Sequence, residues 1–302
     1  MVKKMKKNSI AIILVNYNGL SDTIECIESI KLSTFKNYKI IIIDNASTKD
    51  SFTDFEKKYS DEVIFIKSKE NLGFAGANNV GIKYAIDNGY THVMLLNNDT
   101  VIDPSLIDNL LMYSNDETIV TPKMYYYSNK NMIWYGGGEI NKDTGKAIHE
   151  HIDESDNDEK NVKECTFTTG CCMMINVNII KKIGMLSEEY FMYCEDTDYC
   201  LKALNNNIKI LYNPNAKLWH KVSKSTGGSL SPFSVYYMTR NRFIYIKKYE
   251  EYFSKKAYWF TLFSRYVRII QYWIRKDEIY KSIRKGIKDF NKKIVGKVDK
   301  YI

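Results

Sequence analysis

Four short apolar runs punctuate the first hundred residues: Ile10 to Val15, Lys39 to Ile43, Val63 to Ile66 and His92 to Leu96. Each is bounded by polar residues, as strands buried on both faces are. Between them the period changes. Ser21 is placed to cap a helix that carries Ile24, Ile27 and Ile30 on one side. A polar helix is expected over residues 50–59, and the small-residue turn from Asn71 to Asn79 leads into another that ends near Asn88. Pro104 is expected to open the next helix at its first turn. Strands and helices alternating at this spacing predict an α/β fold, a doubly wound and mainly parallel sheet flanked by helices.

Past Thr121 the alternation breaks down. Tyr125 to Tyr127, the glycines 136–138 and the acidic stretch from Asp153 to Glu159 suggest hairpins and a solvated loop up to Lys163. An apolar strand after Thr169-Gly170-Cys171-Cys172 runs to Ile175, a short helix ends near Gly184, and strands are expected at Ile208 to Leu211 and around Leu218 to His220. From Phe233 the pattern is helical and aromatic, which divides the chain into residues 1–232 and an extension over 233–302. Within Ala257 to Lys276, Trp259, Phe263, Tyr266, Ile270 and Trp273 form one stripe, with Thr261, Ser264, Arg265, Arg268 and Arg275 on the other side. Such a helix can lie in a membrane interface or cover the protein core.

The polar clusters at Tyr17, Asp44, Gly73 and Asp99 each follow a strand, so they should line one edge of the sheet, where open α/β folds bind ligands. Taken singly they read as turns and caps. A carboxylate such as Asp99, fixed at a strand end, can hold a hard divalent cation against a diphosphate. No GxGxxG fingerprint follows the first strand, and no Walker loop is present. Three carboxylates crowd into Glu195-Asp196-Thr197-Asp198. At a helix N-terminus Asp196 would be held ionised by the dipole and suit a general base, although acidic residues favour helix starts in any case. His149 and His151 form an HxH pair better read as a polar strand face than as a metal site, and His220 precedes a Ser/Thr/Gly-rich stretch at Ser223 to Ser229.

Composition adds location. Of 302 residues 44% are apolar, enough for a sizeable core. The net charge of +8 is unevenly spread: from Lys247 onward 16 Lys and Arg face 6 Asp and Glu, while the rest of the chain carries 28 and 30. A basic tail of this kind suits an anionic surface. Six cysteines without a CxxC pair fit reduced thiols. Six apolar residues at Ile10 to Val15 are too few for a signal core, and no run reaches the ~18 of a membrane span. A cytoplasmic protein, peripheral on the inner face of the cell membrane, is expected.

Val15-Asn16-Tyr17-Asn18-Gly19, Ile43-Asp44-Asn45-Ala46-Ser47, Asn71 through Asn79, Leu96-Asn97-Asn98-Asp99-Thr100, Thr169-Gly170-Cys171-Cys172, Glu195-Asp196-Thr197-Asp198 and Trp219-His220-Lys221 occur in this order. Together they resemble the family 2 inverting glycosyltransferases of GT-A fold, and are similar to their rhamnosyltransferase-like branch. The resemblance implies a UDP- or dTDP-sugar donor, possible transfer of rhamnose from dTDP-rhamnose, and a glycan or lipid-linked acceptor. It makes residues 1–232 the nucleotide-sugar-binding and catalytic domain. It places Val15, Tyr17, Asp44 and Asn78 around the base and ribose, with either Asp44 or Asn45 meeting the pyrimidine. Asp99 would ligate Mg²⁺ or Mn²⁺ in the DXD position with His220 as a further ligand, and Asp196 would be the base. Gly73, Asn97, Asn98, Glu195 and Trp219 complete the expected substrate contacts. The first acidic position of DXD is Asn97 here, which lowers the charge offered to the metal.

Two other classes compete. A nucleic-acid-binding protein would use the basic, tyrosine-rich tail but leaves the strand-end clusters unexplained, so no nucleic-acid partner is expected. A sugar nucleotidyltransferase would need a Gly-rich, Lys/Arg-marked loop after the first strand, which Val15 to Gly19 is not.

Overall fold

The computed structural model describes residues 8–156, 158–222 and 231–302. The first half forms β1 (Ile10–Asn16), α1 (Leu20–Lys31), β2 (Tyr38–Asp44), α2 (Thr53–Tyr59), β3 (Val63–Lys67), α3 (Gly73–Asp87), β4 (His92–Asn97), β5 (Thr100–Ile102) and α4 (Leu106–Leu111). Then come β6 (Thr118–Tyr126), β7 (Asn129–Tyr135), β8 (Gly138–Ile140), β9 (Ala147–His149), β10 (Lys163–Cys165), β11 (Cys172–Asn176) and α5 (Val177–Ile183). The chain closes with α6 (Glu195–Asn205), β12 (Lys209–His220), α7 (Pro232–Lys248), α8 (Lys255–Ile274) and α9 (Ile279–Asn291).

One mixed, mainly parallel sheet runs in the order β10-β12-β6-β11-β4-β1-β2-β3, with β5 added on β12 and β7 on β6. Isoleucines and small apolar residues of β1, β2 and β4 are fully buried, which needs helices on both faces. Helix α3 comes so close to β1 that a Cβ on Gly81 would stand 2.7 Å from Ile13. The register sets Asn16 opposite Asp44 and Val15 opposite Asn97, so the polar strand ends of β1, β2 and β4 share one edge.

Several local expectations are corrected. Helix α1 starts at Leu20 after Gly19, without a side-chain cap, and Ser21 lies exposed. Pro104 does not open a helix: β5 follows the Asn-Asn-Asp turn and pairs with β12, and α4 begins only at Leu106. The two strands expected near Ile208 and Leu218 are one, β12, broken in register between Asn213 and Lys217 around Pro214. Beyond Thr121 hairpins do form, but β6 itself lies inside the sheet between β11 and β12. Its Lys123 is 1% exposed and meets Asp156 at 2.6 Å, so a polar-looking segment is buried through an internal ion pair. The Ser223 to Ser229 stretch lies outside the described residues. All six cysteines are free thiols, and no helix among the described residues is long and apolar enough to cross a membrane.

Helix α8 reverses the usual arrangement. Ala257, Thr261 and Arg265 face inward and are buried, whereas Trp259, Phe263, Tyr266, Ile270, Trp273 and Ile274 are each more than half exposed. The aromatic stripe therefore does not cover the core.

The ion pair inside β6 gives a stability test. Asp156→Asn leaves a buried ammonium without its carboxylate and is expected to cost about 3 kcal/mol in denaturant unfolding. Adding Lys123→Met should recover most of that loss, and equal instability of the double variant would show that Asp156 acts otherwise.

Candidate active site

The edge defined by the strand ends is held together by Asn16. Its buried Nδ2 donates to Ser47 (3.0 Å), Asp50 (2.9 Å) and Asp44 (3.3 Å), and its Oδ1 accepts from the Thr23 hydroxyl (2.9 Å) and Asn98 Nδ2 (3.4 Å). The sequence motif gives Asn16 no role of its own; the signal that could have found it is its place as the polar residue directly after the buried apolar run Ile10 to Val15. Asn98 also donates to Thr23 (2.8 Å), tying the turn after β4 to the loop after β1.

That turn leaves Asp99 facing His220 at the end of β12, Oδ1 to Nε2, at 3.1 Å. Asn97 Nδ2 lies 3.5 Å from the same Nε2. Burial alone would raise the Asp99 carboxyl, but the hydrogen bond and charge of His220, with Lys221 beyond, hold it below the ordinary carboxylate range. Lys221 is fixed by Asp22 and Glu25 at 2.5 Å each, and its backbone N–H donates to Asp99 O. Among the described residues no group of three His, Cys, Asp or Glu gathers that could hold a metal ion. A carboxylate and an imidazole nitrogen turned toward each other nevertheless suit two ligands of a divalent ion.

Trp219 is not part of this pair. One step along β12 from His220, it points to the other face, stacks on Tyr125 and donates its indole N–H to Lys130 O. The HxH pair also divides: His149 packs among Trp134, Tyr135 and Phe167, while His151 pairs with Glu154.

On the nucleotide side, Val15 is partly buried and Tyr17 exposed at the rim. Asp44 Oδ1 takes bonds from Asn16 and the Ser47 N–H. Asn45 is committed to the next loop, donating to Asn71 Oδ1 and Gly73 O and accepting from Leu72 N–H. Asn78 donates back to Phe74 O within α3. Gly73 has φ +73°, and a Cβ there would fall 2.0 Å from Phe191 O, so only glycine fits.

The two halves of the edge meet at Gly170-Cys171. Gly170 N–H donates to Asp196 Oδ2 (3.1 Å), and Cys171 O accepts from Asn97 N–H (2.8 Å). Asp196 sits in the first turn of α6 and also takes the Thr197 N–H (2.7 Å). Its proton affinity is nonetheless raised: burial outweighs the backbone N–H groups of Gly170 and Thr197, so the helix dipole does not decide the matter. Glu195 beside it is buried with Oε2 unpartnered, and burial followed by the charge of Asp196 lifts it well above the ordinary range. Burial is the first cause in both, so each of these adjacent carboxyls holds its proton more tightly than a solvated one.

Residues 11–184, more than half of the chain, match the family described as glycosyl transferase family 2. The chain belongs to this family. Among its relatives, the low-salt glycan biosynthesis hexosyltransferase Agl10 of Haloferax volcanii is 27% identical over 247 residues, 80% of this chain and 77% of its own. The dTDP-rhamnosyl transferase RfbF of Shigella flexneri is 26% identical over 223 residues, covering 70% and 72%. The structure of GalNAc-T7 with UDP, GalNAc and Mn²⁺ superposes with a TM-score of 0.65 at 14% identity, over 96% of this chain. This glycosyltransferase spans 55% of that longer chain, and the likeness shows the shared GT-A fold. The nucleic-acid reading is not supported.

The carboxyl pair predicts a pH signature. Because Glu195 keeps its proton in the folded state above the pH at which the unfolded chain releases it, its contribution is present at low pH and lost as pH rises from about 4.3 toward the raised value. Glu195→Gln should therefore gain stability over wild type by a margin that widens with pH in that direction. Denaturant unfolding at several pH values checks it; a constant margin would place Glu195 ionised in the fold.

Proposed function

We propose that this glycosyltransferase moves a sugar from a UDP- or dTDP-sugar to a hydroxyl of a cell-surface glycan or lipid-linked acceptor, inverting the anomeric carbon. The Gly170-Cys171 junction carries the reading, because it bonds both Asp196 and the turn that bears Asp99. Asp196 accepts the acceptor's hydroxyl proton while that oxygen attacks the anomeric carbon opposite the leaving diphosphate. The new C–O bond forms as the bond to the diphosphate breaks. A single carboxylate base suffices for one displacement, without a covalent sugar on the protein, unlike the carboxyl pairs of glycosidases. A protonated Glu195 keeps a second negative charge away from that base.

Asp99 and His220 would hold Mg²⁺ or Mn²⁺, which when bound neutralises charge on the departing diphosphate. The Mn²⁺ and UDP of GalNAc-T7 and the dTDP-rhamnosyl activity named for RfbF support this donor class. Asp44 takes the pyrimidine in preference to Asn45, whose amide shapes the Asn71–Gly73 loop. Val15 and Tyr17 flank the base, and Gly73 and Asn78 set the loop behind it. Asn97 and Asn98 fix the Asp99 turn.

The exposed face of α8 supports peripheral attachment to the inner membrane face. Lys255 and Lys256 stand at one end of the stripe and Arg275 and Lys276 at the other, all exposed. A second copy of the chain would bring two basic tails together, whereas anionic lipid complements them. Burying a large apolar side chain is worth about 1.5–3 kcal/mol and a surface cation about 1 kcal/mol, so six exposed apolar residues outweigh four flanking charges.

Asp196→Asn is expected to lower transfer by ~10²–10⁴-fold while leaving Mn²⁺-dependent UDP affinity intact, and Asp99→Ala to lose that affinity. Calorimetry and a transfer assay decide both; normal turnover of the Asn variant with a true acceptor would remove Asp196 as the base.

In flotation with phosphatidylglycerol vesicles, attachment should weaken only partly in high salt and vanish on Trp259→Ser/Phe263→Ser/Trp273→Ser. A folded wild-type protein that stays at the bottom of the gradient would end the membrane reading.

A further inference from the structure

Between α7 and α8 lies a cluster of arginines whose buried Nε atoms have no hydrogen-bond partner among the described residues. Arg265 is 5% exposed, yet its Nε has no hydrogen-bond partner. Arg242, on α7, has an Nε that is likewise buried and unpartnered. Arg268 follows three residues after Arg265 on α8 and is exposed, so the cluster reaches solvent. The guanidiniums repel one another: Arg265 is pushed down to about 9, by burial first and then by Arg242 and Arg268. Tyr245 and Cys194 share the spot: Tyr245 feels Arg242, also through a side-chain hydrogen bond, and Arg265, while Cys194 feels Arg242, then the carboxyls of Asp196 and Glu195, then Arg265. Tyr245 spends its hydroxyl on Gly145 O, and Thr261 binds Thr144 O, so the turn between β8 and β9 forms a further wall.

No carboxylate is among the leading charges that act on Arg265, although Glu195 and Asp196 act on the same Cys194. The environment of Glu195 is set by burial and Asp196, and that of Asp196 by burial and backbone N–H groups. A buried cation without a partner is among the costliest features a fold can keep. Guanidinium forks match phosphate oxygens bidentately and are more weakly hydrated than ammonium groups, which suits a half-closed anion site.

We propose that Arg242, Arg265 and Arg268 form a subsite for the phosphate or diphosphate group of a lipid-linked acceptor. This rests on the membrane and acceptor reading given above, and it deepens that reading by assigning the acceptor's charged group. Position supports the source of the phosphate. The opposite face of α8 carries the exposed aromatic stripe, so the cluster lies about one helix diameter, ~10 Å, from the lipid surface. On its inner side the cluster meets Cys194, the residue before Glu195-Asp196. A phosphate held here leaves its lipid tail toward the bilayer and its sugar toward the base.

Thermal unfolding of the full chain in EDTA tests this, with inorganic pyrophosphate, geranyl diphosphate and phosphatidylglycerol vesicles as separate probes. At a concentration one hundred times the dissociation constant, the two diphosphates should raise the midpoint of wild type and of Asp99→Ala by about 5 °C. Arg265→Met combined with Arg242→Gln should abolish the shift. Arg265→Met alone should unfold no earlier than wild type without ligand, which separates loss of the site from loss of the fold. A shift lost in Asp99→Ala but kept in the arginine variant puts the anion at the donor site and overturns the proposal. A response to vesicles alone assigns the arginines to bilayer headgroups and equally overturns it. No shift in a protein that still binds UDP with Mn²⁺ overturns the subsite and leaves the transfer function standing. Failure to bind UDP as well takes the subsite down with the reading beneath it.

Discussion

The carboxyl edge of the sheet depends on a buried amide that must be satisfied. Asn16 is fully buried where β1, β2 and the turn after β4 converge, and every polar atom of its side chain is used. An amide left unpaired there would cost about 1–3 kcal/mol, so the edge is stable only when all three strands stand in register. Register then fixes chemistry: Asp44 lies opposite Asn16, and Asn98 is drawn toward Thr23 so that Asp99 turns to His220. The side chains at this edge are thus placed by a polar network that the apolar strands beneath make obligatory.

Where a residue's role follows from local pattern, the sequence was readable. Strands β1 to β4 are nearly unbroken apolar runs because both faces are covered, and polar residues mark where each one leaves the sheet. Strand β6 was not readable in this way. Thr121 and Lys123 are buried in it only because Cys172 O and Asp156, far along the chain, meet them. Pro104 and Ser21 carry genuine helix-start chemistry, yet pairing of β5 with β12 and the Gly19 turn set the boundaries instead. Trp219 and His220 are adjacent in sequence, and a strand necessarily sends them to opposite faces. Of the expected site, the strand-end positions could be read from the sequence and their partners could not: nothing local says that Asn45 is spent on Asn71 while Asp44 faces the edge.

Helix α8 shows the same limit in another form. Its periodicity separates an aromatic side from a polar one, but periodicity is silent about which side meets the protein. A core-covering helix hides its apolar side; here Thr261 and Arg265 are hidden. Burying the polar side is unfavourable unless something else is gained, and the two gains available are an apolar face for lipid and a set of cations for an external anion. The proposed lipid-linked acceptor would supply both.

The C-terminal helices also bear on Asp196. The segment before Asp196 holds Phe191, Tyr193 and Cys194 at φ of 62°, 65° and 72°, a conformation that costs roughly 1 kcal/mol or more for each such residue. Helix α7 supplies the compensation. Asn241 Nδ2 lies within 3.0 Å of the carbonyls of Tyr190, Met192 and Tyr193, and Arg240, fully buried, reaches Tyr190 O at 3.1 Å. Arg240 also binds Gly296 O at 2.8 Å, and α9 packs on α7, so the end of the chain is clamped to the same loop. Gly73 needs that loop in place as well, since Phe74 N–H donates to Phe191 O. The segment that positions Asp196 is therefore strained by itself and fixed from two sides, by α3 at the nucleotide edge and by α7 from residues beyond 232. A division of the chain at that point cuts across the hydrogen bonds that fix the segment before Asp196, so the helical extension helps to hold that segment in place.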